Sequence, residues 1–130
     1  MRLRALLLVA ALGLVGLLAV GAPAFAAGRP LSATLTGAAE VPGPGDADAS
    51  GTALITLNEG QGEVCFSLDW AGIDGTVVAA HIHVGPAGVA GPVVVPLLAS
   101  SFSGTGGANA CISGVSEELI KAIRHDPAGY

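Results

Sequence analysis

The chain has 130 residues, the size of one domain, with 20 glycines, 8 prolines and only five aromatic residues among Phe, Trp and Tyr. Ten acidic residues outweigh five basic ones, giving a formal net charge of −5. A chain with this balance has no basic patch to neutralise phosphates, which makes nucleic acid and anionic membrane surfaces poor partners for it.

The first 26 residues read as an export signal rather than as part of a fold. Arg2 and Arg4 precede an uncharged run from Leu6 to Val20, and Ala24-Phe25-Ala26 is a small-x-small cleavage site. The pattern predicts a secretory signal peptide over 1–26 and a mature domain over 27–130. An uncleaved anchor is the alternative, but the apolar run is short for a span, and no second candidate span follows. The expected location is therefore secreted or periplasmic, with the mature charge moving to about −7 once Arg2 and Arg4 are removed. In an oxidising compartment the isolated pair Cys65 and Cys111 is expected to form a disulfide. It would close a loop of about 47 residues, worth about 4 kcal/mol on a chain-entropy estimate. There is no C-x-x-C motif to suggest thiol redox work.

Leu31 to Thr36 alternates apolar and polar residues and predicts a first strand with Leu31, Ala33 and Leu35 inward. Gly37 to Ser50 carries Pro42, Gly43, Pro44, Gly45, Asp46 and Asp48 and reads as a surface loop. Its Asp46-x-Asp48-x-Ser50 is only a fragment of a calcium-loop pattern, without the spacing or the terminal glutamate. A second strand over Gly51–Leu57 turns inward Ala53, Ile55 and Leu57, and Asn58–Gly62 is a hairpin turn. A third strand over Glu63–Trp70 places Val64, Phe66, Leu68 and Trp70 on one face and Cys65, Ser67 and Asp69 on the other.

The stretch Val77–Val84 reads as one fourth strand. Alternation puts Val78, Ala80, Ile82 and Val84 in the core and Val77, Ala79, His81 and His83 on the opposite side. Gly85, Pro86, Gly88 and Gly91 mark a tight turn into a fifth strand, Val93–Leu98, whose Pro96 argues for an edge position or a bulge. Three glycines at triplet spacing are too few for collagen, and a strand after them rules out a phosphate-cradling loop. Ser100–Gly107 is a polar, glycine-rich loop, and a short strand surrounds Cys111. Ser116 caps a helix with Glu117 and Glu118 in its first turn, Val115 and Ile120 at staple positions, and Leu119, Ile120 and Ile123 facing the core. Asp126-Pro127-Ala128-Gly129 ends it. Short strands followed by one helix, with no strand–helix alternation, predict an all-β fold: an antiparallel Greek-key β-sandwich with one short C-terminal helix.

Chemistry concentrates at His81 and His83. Residues two apart in a strand stand on one face about 6.5–7 Å apart along it, so the pair presents two imidazoles side by side. Neutral imidazoles in that arrangement suit copper or zinc. A third ligand would have to come from His125, the one other histidine, or from Asp69 or Glu63. The alternative is a polar pair hydrogen-bonded to a turn. No nucleophile elbow accompanies the histidines, and one Trp and one Tyr make a poor sugar platform, so a non-enzymatic role is expected.

Three blocks resemble the CHRD domain, the family named after chordin. They are Leu35-Thr-Gly-Ala-Ala-Glu40-Val41-Pro42, then Ser50-Gly51-Thr-Ala, then Ala80-His81-Ile82-His83-x-Gly85-Pro86-Ala87-Gly88-x-x-Gly91-Pro92-Val93. The helix followed by Asp126-Pro127-Ala128-Gly129-Tyr130 fits as well. The resemblance implies a small exported bacterial member acting as a binding or structural module, with an extracellular protein as the kind of partner. It also implies a further strand, with its own histidine, beyond Tyr130. The sequence at hand stops before it, as a fragment would or as a member without a closing strand would. The His-x-His strand is similar to the copper-ligand strand of copper/zinc superoxide dismutases, but that chemistry needs more histidines than the three present. The leading expectation is a non-catalytic CHRD-type module, and the alternative is a periplasmic or extracellular copper- or zinc-binding protein using His81 and His83.

Overall fold

The computed structural model describes residues 30–98, 102–103 and 106–130, and the segment read as a signal peptide lies outside them. Its frame is a four-stranded antiparallel sheet in the order β1-β2-β3-β8, formed by β1 (Leu31–Thr36), β2 (Ser50–Asn58), β3 (Glu63–Ala71) and β8 (Gly106–Ser113). Between β3 and β8 the chain leaves this sheet to build the opposing layer. That layer holds β4 (Thr76–Val77) paired with β7 (Phe102–Ser103), and β5 (Ala80–His83) paired with β6 (Val93–Leu98). The helix α1 (Glu117–His125) packs beside them. The architecture is an all-β antiparallel sandwich with one short helix.

The core lies between the layers, and alternation places it there. Ala53, Ile55 and Leu57 of β2 and Val64, Phe66, Leu68 and Trp70 of β3 are buried against Val95, Leu97 and Leu98 of β6 and Ile120 and Ile123 of α1. Register keeps like faces together, with Ile55 opposite Phe66 and Leu57 opposite Val64. A one-residue slip would turn that whole set outward. Ser116 Oγ accepts from the Leu119 N–H at 3.2 Å, so the cap read from the sequence starts the helix.

The opposite face of the four-stranded sheet carries Cys65 and Cys111, which sit directly across from each other in β3 and β8 and form a disulfide. The link joins residues 46 apart and closes the excursion that makes the second layer.

Two expectations are corrected. The predicted fourth strand is two strands: β4 ends at Val77 and β5 begins at Ala80, because the first pairs with β7 and the second with β6. The break resets the alternation, so Val77 packs against the core while Val78 is 67% exposed, and Val84, past the end of β5, is exposed too rather than in the core. In β1 only Leu31 reaches the core, and Leu35 remains 44% exposed at the open end of the sandwich. Pro96 behaves as read. It opposes His81 beside a register shift in β6, which pairs with β5 alone among the described strands.

Candidate functional site

His81 and His83 end β5 on the same side. Both are exposed, and their ring centroids lie 5.6 Å apart with planes at 80°. Between them Ile82 turns toward the core, as the pleat requires. His83 Nδ1 lies 2.7 Å from the Gly91 carbonyl oxygen. A carbonyl can only accept, so Nδ1 carries the proton in the neutral ring and Nε2 keeps a free lone pair. Among the described residues neither ring nitrogen of His81 has a hydrogen-bond partner.

The glycine-punctuated turn beyond β5 is built to hold this geometry. Val84 N–H donates to the Pro92 carbonyl at 3.0 Å, and Val89 N–H donates to the Pro86 carbonyl at 3.1 Å. Gly85 N–H donates to the Gly129 carbonyl at 2.7 Å, which ties the turn to the segment after α1. Gly91 has to be glycine: a Cβ there would stand 1.5 Å from the Val84 carbonyl oxygen. Close backbone approach therefore fixes the carbonyl that His83 uses.

The two histidines line a cleft of about 500 Å³ at the open end of the sandwich. Leu35, Trp70, Ile73 and Ala80 supply apolar lining, and Glu40 and Asp46 belong to the same wall. Among the described residues no lysine or arginine lines it. The Gly37–Ala49 loop that brings Glu40 and Asp46 is itself pinned. Gly37 N–H donates to the Ala49 carbonyl at 3.2 Å, and the Asp74 N–H donates to Asp46 Oδ2 at 2.5 Å. The Asp74 N–H, reinforced by Asp48, holds the Asp46 carboxyl below its ordinary range. Asp46 thus acts as a loop tie between distant segments, a role the aspartates of this loop did not announce in sequence.

Of the candidate third metal ligands, Asp69 lines the same cleft as the histidines, while Glu63 and His125 do not. The Asp69 carboxylate stands beside Gly107, on the disulfide face of the sheet. Glu63 accepts from Asn58 Nδ2 at 3.0 Å on that same face. His125 closes α1. Among the described residues the one set of three ligand-type side chains with donor atoms within 4.8 Å of one another is Glu63, Cys65 and Cys111. Its sulfurs are joined to each other, so no thiolate is available to a metal there.

The family model for the CHRD domain matches residues 31–124, a span running from β1 into α1. No curated protein and no solved structure matches the chain. With well over half of its length inside that match, the chain belongs to the CHRD domain family.

Proposed function

We propose that this protein is an exported, non-catalytic binding module whose binding face is the cleft beside His81 and His83. The supporting observation is the way the fold spends its constraints there. Two exposed imidazoles and the pinned Gly37–Ala49 loop line one concavity with apolar walls, and the Gly91 carbonyl holds the His83 ring. Family membership supports a binding or structural role in general. Export by a signal peptide over 1–26 agrees with a disulfide between Cys65 and Cys111. An extracellular protein is the partner class proposed.

A photo-crosslinking residue tests the face. One is placed at Ala79, exposed at the cleft, and another at Leu54, 51% exposed on a β2 position facing away from the core. The exported protein is then irradiated among the other exported proteins of the same cell. Crosslinks from position 79 alone support the cleft. Crosslinks from position 54 alone overturn it.

A second reading, metal binding through His81 and His83, is favoured by one specific observation. A metal-ligating imidazole characteristically donates its other N–H to a carboxylate or backbone carbonyl, and the bond from His83 to Gly91 has that form.

A further inference from the structure

We propose that His81 and His83 form an open copper(II) site, with His83 coordinating through Nε2 and water or an outside donor filling the remaining positions. The inference rests on the metal reading above and adds the ion, the ligand atom and the coordination type.

Geometry comes first. A metal bonded to an imidazole nitrogen at about 2.0–2.1 Å sits about 3.1–3.2 Å from that ring's centroid. Two rings sharing one ion therefore have centroids about 4.5 Å apart at a right angle and about 6.3 Å apart when opposed. The observed 5.6 Å falls inside that interval. The Gly91 carbonyl holds the His83 ring in place, so the rotation that brings both nitrogens to one ion falls to the exposed His81 ring.

The ligand atom on His83 follows from its hydrogen bond. With Nδ1–H committed to the Gly91 carbonyl at 2.7 Å, the lone pair is on Nε2. That bond also orients the ring and removes tautomer freedom that binding would otherwise have to restrict.

Donor chemistry selects the ion. Structural zinc takes four protein ligands in a tetrahedron, and catalytic zinc takes three. Among the described residues no group of three ligand-type side chains with donor atoms within 4.8 Å of one another includes these histidines, and the carboxylates of the cleft, Glu40, Asp46 and Asp69, stand outside such a group. Copper(II) stands at the top of the divalent series for nitrogen donors and accepts a tetragonal mix of imidazole and water. No lysine or arginine among the described residues lines the cleft to repel the ion.

Copper(II) titration of the metal-free exported protein, followed by electron paramagnetic resonance and calorimetry, tests this. The expected result is one copper(II) per chain with superhyperfine coupling to two imidazole nitrogens. His81→Gln and His83→Gln are each expected to weaken binding tenfold or more, and His125→Gln is expected to leave it unchanged. Zinc(II) should bind at least tenfold more weakly than copper(II). Coupling to one imidazole or none in the unsubstituted protein overturns the site, whatever the variants do. So does a His81→Gln/His83→Gln double variant that binds as tightly as the parent. Persistence of crosslinks from position 79 alongside either result would leave the binding-module reading standing while the copper site fell.

Discussion

His83 shows how much of a site one main-chain contact can define. His81, two residues before it, has the same chemistry and is exposed as well, yet among the described residues only His83 is held by a backbone carbonyl. The difference traces to Gly91, where a side chain would collide with Val84. We predict that Gly91→Ala costs about 2 kcal/mol or more, since the backbone at Val84 and Gly91 must separate. It should also free the His83 ring. Urea denaturation checks the first effect, and a loss within 0.5 kcal/mol would contradict it. Sequence showed the histidines and the glycines but not this link, because Gly91 lies eight residues away and its carbonyl has no signature in the alphabet.

At the scale of elements, alternation was legible wherever a strand kept one partner. β2 and β3 pair along their whole length, and their inward residues are those the period-two pattern picks out. The stretch from Thr76 to His83 misled because it changes partners midway, from β7 to β6. Nothing local marks that change, as Val77-Val78-Ala79-Ala80 alternates acceptably in either register. The helix was legible through its cap, yet its attachment was not. Arg124 and Lys121 both pair with Glu59 in the turn between β2 and β3. Arg124, and after it Lys121, hold the Glu59 carboxyl below its ordinary 4.5. A depressed carboxylate contributes stability that is present above its unfolded value and is lost as pH falls through the folded one. Stability should therefore decline as pH drops below about 4.5, and Glu59→Gln should flatten part of that decline. Melting temperatures of both proteins from pH 6 to pH 3 check this. Parallel curves would show that the contacts contribute nothing, as exposed ion pairs sometimes do.

Across the whole molecule, the disulfide and the cleft sit on different sides of the same sheet. Cys65 and Cys111 face away from the core, while the cleft opens where β1 and β3 meet the second layer. The pair was legible from the count of two cysteines and the compartment that the N-terminal pattern implies; the cleft was not, because Leu35, Trp70 and His81 come from three separate segments. Replacing both cysteines with alanine should cost about 4 kcal/mol, since the link spans a separation of 46 residues. Denaturant midpoints with and without reductant measure it, and equal midpoints would contradict a stabilising bond. The account as a whole requires that β5 carry both imidazoles to one side and that the turn beyond it lock one of them. Proton NMR of the two rings in the metal-free protein tests this most directly. The account predicts ring-to-ring Overhauser contacts between His81 and His83 and a His83 held in the Nδ1–H form. Absent contacts, with both rings exchanging freely between tautomers, would contradict it.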